Sequence, residues 1–131
     1  MQAATSGDIL VVDDSPDNLR VLAIMLEQKG YQVRKVLSGS LALKAAQAAP
    51  PDLILLDICM ADMDGYTVCQ KLKATEHLSQ IPVIFLSALN ELDDKIRAFQ
   101  VGGVDYITKP FQVEEVLARV QNHMLVRQLQ A

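Results

Sequence analysis

Four short apolar runs in this sequence each end on polar residues that can take part in phosphate chemistry. The runs cover residues 9–12, 53–56, 83–86 and 106–108, and they lead into Asp13-Asp14, Asp57, Ser87 and Lys109-Pro110. If the runs are parallel strands, all of these polar groups emerge at one edge of one sheet. Open α/β sheets bind ligands outside the carboxyl ends of their strands, so the pattern predicts a site at that edge.

The apolar runs alternate with helical patterns, as is typical of βα units that form a parallel sheet. Strands are predicted near residues 8–12, 32–36, 53–56, 82–86 and 105–108, and the second is polar enough for a sheet edge. The first helix is predicted to have Ser15 as N-cap, Pro16 at its first position and Gly30 as its stop. Further helices are predicted over about 40–48, 65–74, 91–99 and 113–129, with Asn90 capping the fourth, and the segment 75–80 is predicted to be a loop. The sequence therefore predicts a doubly wound α/β fold.

Length and charge limit the kind of protein. The chain has 131 residues, enough for one domain with a substantial core, and a formal net charge of −4, which argues against direct binding of nucleic acid. No apolar run approaches the roughly 20 residues that cross a bilayer, and the N-terminus lacks a signal peptide, so we expect a soluble, cytoplasmic protein without a membrane partner. Cys59 and Cys69 lack the spacing of a disulfide framework or a zinc site.

Three carboxylates at one sheet edge indicate a cation. Asp13, Asp14 and Asp57 would repel one another unless a positive ion lay among them, and oxygen ligands of this kind suit Mg²⁺. Asp57 could then act as a nucleophile toward phosphorus, with Lys109 neutralising the phosphoryl charge. Each residue also has a simpler interpretation alone, because acids stabilise helix N-termini and lysines usually lie at the surface.

Together these motifs resemble the receiver domain of two-component response regulators. The segments that carry the resemblance are ILVVDD at 9–14, LILLDICMADMDG at 53–65, PVIFLSA at 82–88 and VGGVDYITKPF at 101–111. The resemblance runs from about residue 8 to 126. It implies a flavodoxin-like fold with a five-stranded parallel sheet in the order 2-1-3-4-5 and five flanking helices. Residues 1–7 are then expected to form a disordered tail, and 127–131 the end of the last helix, where a linker could begin.

The resemblance also implies roles for the strand-end residues. It makes Asp57 the phosphoacceptor and gives Mg²⁺ four ligands: Asp13, Asp14, Asp57 and the backbone carbonyl of Cys59. Ser87 would bond the phosphoryl group, Lys109 would be its counter-cation, and the Lys109-Pro110 peptide would be cis. Tyr106 matches an aromatic residue that moves between outward and inward positions as Ser87 is drawn toward the phosphate.

The implied function is a switch. A histidine kinase or phosphotransfer protein would donate a phosphoryl group to Asp57, and the receiver would catalyse only its own phosphorylation and slower dephosphorylation. The surface formed by helix 4, strand 5 and helix 5 would respond. The chain could be a stand-alone receiver or part of a larger regulator or hybrid kinase with a covalently linked output or kinase domain, and a homodimer is a further option.

Three features depart from the family pattern. Ala61 replaces a common proline in the loop after Asp57, Ser87 replaces the commoner threonine, and Cys59 and Leu89 occupy positions that tend to control phosphate lifetime. His77 and His123 are interpreted as incidental.

Two other functions are compatible with some of these residues. A haloacid dehalogenase-type phosphatase also uses an aspartate at a strand tip with Mg²⁺, but carries it on the first strand in an Asp-x-Asp pattern. A phosphorylation-independent pseudo-receiver scaffold would usually lack Asp57, Lys109 or the acidic pair.

The last helix has apolar residues that do not share one face. The residues Val113, Val116, Leu117, Val120 and Met124 are predicted to face the core, whereas Leu125, Val126 and Leu129 lie off that stripe. These three are either ordinary exposed apolar residues or contacts to a partner or further domain.

Overall fold

Within the residues that the structure describes, five parallel strands and five α-helices form the fold. The computed structural model describes residues 7–130, and the strand order is β2-β1-β3-β4-β5. The strands are β1 (Asp8–Val12), β2 (Gln32–Val36), β3 (Leu53–Leu56), β4 (Val83–Ser87) and β5 (Asp105–Thr108). The helices are α1 (Pro16–Glu27), α2 (Gly39–Ala48), α3 (Gly65–Lys73), α4 (Leu92–Gln100) and α5 (Val113–Gln130). The predicted fold class and strand order are confirmed.

The strand register brings the polar strand ends together. In the central pair, Val12 of β1 lies opposite Leu56 of β3, so that Asp13 and Asp57 follow neighbouring positions. The backbone N–H of Asp57 donates to the Val12 carbonyl at 2.9 Å, which continues the ladder by one residue. On the other side of β3, Ser87 of β4 is paired with Thr108 of β5, immediately before Lys109.

Two apolar cores cover the two faces of the sheet. Successive residues of a strand point to opposite faces. Leu10, Ile54 and Phe85 therefore pack with α2, α3 and α4 residues in one core. Leu55 and Ile84 pack in the other core, with residues of α1 and α5. Because both faces are covered, the polar residues that follow the strands are confined to the sheet edge.

Helix ends agree with the predictions in part. Ser15 caps α1 by accepting the Asn18 N–H at 3.3 Å, and Gly30 follows the helix with a φ of +96°. The prediction that Asn90 caps α4 is wrong, because Glu91 is the N-cap. The carboxylate of Asp94 accepts the Glu91 N–H at 3.3 Å, a capping-box contact that starts the helix one residue later.

The segment predicted as a loop at 75–80 contains one turn of 3₁₀ helix, Glu76–Leu78. Leu78 is fully buried in the core on the α3 side, so this apolar residue anchors an otherwise polar segment.

Helix α5 buries fewer of its apolar residues than expected. Val116, Val120 and Met124 are buried, whereas Val113 is 41% exposed at the start of the helix, against the prediction. Leu129 is 78% exposed, and Leu125 and Val126 are also exposed, as their positions off the stripe predicted. In the described part of the chain, none of the helices is long and apolar enough to cross a membrane.

The predicted disordered tail lies mostly outside the described residues, which begin at Gly7. The carbonyl of Gly7 accepts the N–H of Gln32 at 2.8 Å, so this residue extends the pairing of β1 with β2.

Candidate functional site

Three carboxylates converge at the carboxyl edge of the sheet. One oxygen each from Asp13, Asp14 and Asp57 lies within 4.8 Å of the others. Asp13 and Asp57 are buried, with 2% and 6% of their surfaces exposed, whereas Asp14 is exposed. The N-terminus of α1 helps to hold Asp13, because the Ser15 N–H donates to its Oδ1 at 2.9 Å. The structure thus brings together the three acids that the sequence singled out.

Lys109 lies between the two buried acids. Its Nζ is 2.8 Å from Oδ2 of Asp13 and 3.5 Å from Oδ2 of Asp57. The Lys109-Pro110 peptide is cis, as the resemblance implied, and the Lys109 N–H donates to the Ser87 carbonyl at 2.8 Å. One lysine thus serves two buried carboxylates, and the cluster keeps an excess of negative charge.

The electrostatic environment of Asp57 disfavours its charged form. Burial raises the pKa of this carboxyl; the ammonium of Lys109 lowers it, and the charges of Asp13 and Asp14 raise it again. The N–H of Ile58 donates to Oδ1 at 2.8 Å and so favours the carboxylate. The pKa is raised overall, so a further positive charge at this edge would stabilise ionised Asp57.

Ser87 and Tyr106 lie on the neighbouring strands β4 and β5, where Ser87 pairs with Thr108 and Tyr106 with Phe85. Ser87 is fully buried, and its Oγ accepts the Leu89 N–H at 3.3 Å. Tyr106 is 8% exposed, its ring is 6.4 Å from that of Phe85, and its hydroxyl donates to the Leu89 carbonyl. Burial raises the pKa of Tyr106 to about 12, so the phenol remains a donor at neutral pH. Tyr106 therefore occupies an inward position.

The loop between β3 and α3 closes tightly around Asp57. The Gly65 N–H donates to the Ile58 carbonyl at 2.8 Å. A Cβ at Gly65 would overlap the Asp57 carbonyl oxygen and lie 2.9 Å from the Cα of Ile58, which explains the need for glycine at the start of α3. Cys59 is exposed in this loop, two residues after Asp57.

Two contacts near the site were missed by the sequence reasoning. Nδ2 of Asn18 donates to Oδ2 of Asp13 at 3.4 Å, and its place in the first turn of α1 could have indicated this. Asp62 accepts hydrogen bonds from Gly39 and Ser40 of α2, a contact across 22 or more residues that no local pattern signals.

His123 has a partner on β5. Its Nε2 is 3.0 Å from Oδ2 of Asp105. Arg119 donates to both oxygens of the same carboxylate, at 2.9 Å to Oδ1 and 3.0 Å to Oδ2. Burial would raise the pKa of Asp105, but hydrogen bonds from His123, the Tyr106 N–H and Arg119 outweigh it, and the pKa is lowered. The cluster ties β5 to α5, so His123, which was interpreted as incidental, has a structural contact with β5.

Comparison with known proteins identifies the family. The family model described as "Response regulator receiver domain" matches residues 9–121. The DNA-binding dual master transcriptional regulator RpaA of Synechocystis is 45% identical over 113 residues, which cover 86% of this chain and 47% of that protein. A Vibrio cholerae protein named "Probable cyclic di-GMP phosphodiesterase" is 39% identical over 124 residues, which cover 95% of this chain and 28% of that protein.

A solved structure has the same fold. The signal receiver domain of a signal transduction histidine kinase from Syntrophus aciditrophicus superposes with a TM-score of 0.85 at 38% identity, and covers 92% of this chain and 91% of that chain. The chain spans about half or less of the length of the two curated relatives. Neither the comparisons nor the position of Asp57 after the third strand favours the dehalogenase alternative.

Receiver domains are phosphorylation-dependent switches that bind Mg²⁺ at an acidic pocket and interact with histidine kinases or phosphotransfer proteins. The family match, the sheet order and the motifs at the strand ends agree with one another. This chain belongs to the receiver domain family of two-component response regulators.

Proposed function

We propose that Asp57 is the phosphoacceptor of this receiver and that its phosphoryl donor is a phosphohistidine on a histidine kinase or phosphotransfer protein. The observation that carries the proposal is the position of Asp57 within 4.8 Å of two further carboxylates and 3.5 Å from Lys109. A carboxylate oxygen of Asp57 attacks phosphorus, the bond from phosphorus to the histidine nitrogen breaks, and the imidazole leaves with the electron pair.

The donor set fits a magnesium ion. The side chains of Asp13, Asp14 and Asp57 offer oxygen atoms only, the ligands that Mg²⁺ prefers, and their excess negative charge calls for a cation. The carbonyl of Cys59 is proposed as a further ligand because its loop follows Asp57 directly. When bound, the ion would neutralise charge on the phosphoryl oxygens.

The residues around Asp57 have separate tasks in this proposal. The ammonium of Lys109 pairs with a phosphoryl oxygen, and the Ser87 hydroxyl donates a hydrogen bond to another. Dephosphorylation is the slower attack of water on the same phosphorus. No separate substrate is turned over, so the chemistry only sets the lifetime of the modified state.

The response is proposed to pass through Ser87 and Tyr106. Their backbones belong to paired strands, and both side chains bond to the backbone of Leu89. The Ser87 hydroxyl accepts the Leu89 N–H, and the Tyr106 hydroxyl donates to the Leu89 carbonyl. A shift of Ser87 toward the phosphoryl group changes the loop that Tyr106 contacts, and biases an existing equilibrium of the surface on α4, β5 and α5.

The partner is proposed to bind that same surface. The Synechocystis relative is named as DNA-binding and the Vibrio relative as a phosphodiesterase, so similar receivers occur in proteins with different outputs. This receiver would act on an output or kinase domain, covalently linked or separate, or on a second copy of itself. Its net charge of −4 supports a protein partner over direct contact with nucleic acid.

The experiment is phosphorylation by acetyl phosphate with Mg²⁺, followed by intact mass. We expect the wild-type chain to gain one phosphoryl group, and Asp57→Asn to gain none. Asp17→Asn is the matched control, since Asp17 is exposed in the first turn of α1, and it should behave as wild type. A phosphoryl group on Asp57→Asn contradicts the assignment, whereas no modification of the wild type favours a phosphorylation-independent scaffold.

A further inference from the structure

Asp62, in the loop after β3, accepts three hydrogen bonds from the first turn of α2. Its carboxylate accepts the Gly39 N–H at 3.1 Å, the Ser40 N–H at 3.0 Å and the Ser40 hydroxyl at 2.8 Å. These bonds, the Ser40 N–H first, lower the pKa of Asp62, so the carboxylate stays ionised at neutral pH.

The contact completes the cap of α2 from outside the helix. Ser38, the N-cap residue, accepts the Leu41 N–H at 3.2 Å, which leaves the first two helical N–H groups for Asp62. Free N–H groups at a helix N-terminus attract negative charge, so an ionised carboxylate suits this position.

The backbones of the loop and the helix also touch. A Cβ at Gly39 would lie 2.7 Å from Cγ2 of Val68, 3.0 Å from Cβ of Met63 and 3.1 Å from the Met63 carbonyl oxygen. Glycine at the first position of α2 is therefore what lets the loop reach close enough for Asp62 to bond. The close contact places residues 62 and 63 of the loop against the first turn of α2.

The segment between Asp57 and this contact is held by side-chain packing more than by backbone bonds, because Met60 packs against the core on the α3 side. Ile58 is held by its bonds to Asp57 and Gly65. Within the described part of the chain, residues 59–61 make no backbone–backbone hydrogen bond. The backbone position of residues 59–61 therefore depends on Met60 and on the contacts at either end of the segment.

We propose that Asp62 is a positioning residue, which holds the loop against α2 and so places the Cys59 carbonyl for the metal ion. The inference rests on the proposed function, because it takes Cys59 as a ligand. Asp62 itself touches neither the metal nor the phosphoryl group. Residues behind metal ligands commonly change metal affinity by about 10- to 100-fold when they are removed.

The test compares four proteins by calorimetric Mg²⁺ titration and by amide hydrogen exchange without metal. Asp62→Ala removes all three bonds, and Asp62→Asn keeps one acceptor oxygen. Ser38→Ala is the matched control, since it removes a cap of the same helix turn and leaves the groups of all three Asp62 bonds in place, although Ser38 Oγ lies 3.5 Å from Ser40 Oγ. Wild type completes the set, and circular dichroism shows whether each variant is folded.

We expect Asp62→Ala to bind Mg²⁺ about tenfold more weakly, with faster amide exchange at residues 59–61. Asp62→Asn should fall between Asp62→Ala and wild type, and Ser38→Ala should stay within about twofold of wild type. Equal losses of Mg²⁺ affinity in Ser38→Ala and Asp62→Ala would mean that Asp62 acts only as a helix cap, which would overturn the proposal. An unchanged Mg²⁺ affinity in Asp62→Ala would also overturn it. If the wild type itself binds no Mg²⁺, the proposed function fails and the positioning role fails with it.

Discussion

At the scale of single residues, the ionised carboxylate of Asp57 is expected to lower the stability of the folded protein. In the proposed function it is an ionised nucleophile, yet it is buried beside two other acids, and its pKa is raised by burial first and by those charges second. Lys109 offsets part of this cost from 3.5 Å. An acid whose pKa is higher in the folded than in the unfolded state weakens folding when it ionises, so stability falls as the pH rises through the folded-state pKa.

Replacing this carboxylate should therefore stabilise the metal-free protein. We expect Asp57→Asn to raise the free energy of unfolding by about 1 kcal/mol at pH 7 in EDTA, as is common when a strained functional group is removed. The gain should disappear as the pH falls toward the ordinary carboxyl pKa of 3.8, where wild-type Asp57 is protonated. Urea unfolding at several pH values measures both effects.

Glu27→Gln is the control for a lost negative charge, because Glu27 is exposed at the end of α1, and its stability should stay within about 0.5 kcal/mol of wild type. Saturating Mg²⁺ should stabilise the wild type and remove the advantage of Asp57→Asn. A variant that is less stable than wild type in EDTA would refute this account of Asp57.

Among the elements, α3 is the one that most restricts the site. Its first residue, Gly65, packs against the backbone of Asp57 and Ile58, so the start of the helix and the end of β3 are in close contact. Asp64 fixes the helix start by accepting the Thr67 N–H at 2.8 Å. A side chain at Gly65 would have to displace backbone, which is less adaptable than the end of a flexible side chain.

Although Gly65→Ala adds only one methyl group, it should lower both stability and the rate of phosphorylation. We expect a loss of about 1–3 kcal/mol in the free energy of unfolding, typical of overpacking, and slower phosphorylation by acetyl phosphate. Gly102→Ala is a useful comparison: its φ of +110° also disfavours alanine, but its close contacts are with the flexible side chain of Lys73. It should lose stability while keeping the wild-type phosphorylation rate.

Chemical denaturation and a phosphorylation time course measure these two quantities separately. If Gly65→Ala is phosphorylated at the rate of Gly102→Ala, the contact with Asp57 has no effect on the site.

Local patterns predicted most of the elements and the residues at the strand ends. Apolar runs such as 53–56 favour buried strands at this length, and a parallel sheet places the residues that follow them at one edge. That β1 and β3 are neighbours, which brings Asp13 next to Asp57, followed from the family resemblance and is confirmed by the register. The cap of α4 was misassigned because Asn90 and Glu91 are both polar and the choice depends on Asp94. The contact of Asp62 with α2 depends on how close two elements approach, which Gly39 permits but no periodicity reveals.

Across the whole molecule, apolar surface is exposed unevenly. Helix α4 presents a stripe of Leu92, Ile96 and Phe99, with exposed fractions of 70%, 43% and 51%. We call these three residues the α4 stripe. They recur at spacings of four and three residues, so they lie on one side of the helix. This side belongs to the surface that the proposed function connects to phosphorylation.

The α4 stripe should mediate association in the activated state. With Mg²⁺ and beryllofluoride as a phosphoryl mimic, we expect the wild-type chain to form a dimer, and Phe99→Ser to remain monomeric. Because Phe99 is half buried, its replacement should lower the free energy of unfolding by about 1–2 kcal/mol and leave the chain folded. Size-exclusion chromatography with light scattering measures the mass.

Leu129→Ser is the control. Leu129 is an apolar residue near the end of α5 and is 78% exposed. It should leave the activated mass unchanged. If the activated wild type stays monomeric at high concentration, the prediction of a dimer is wrong, and the α4 stripe would be expected to bind a different protein.

Strand β3 lies in the middle of the sheet, with a strand on each side and a core on each face. Its position makes the backbone before Asp57 among the stiffest parts of the molecule, because any displacement would have to break two ladders of hydrogen bonds and disturb both cores. A covalent change at Asp57 therefore cannot act by moving the strand that carries it. In the proposed function, the response is therefore expected outside this strand, in the loops after β3, β4 and β5 and in the helix between the last two.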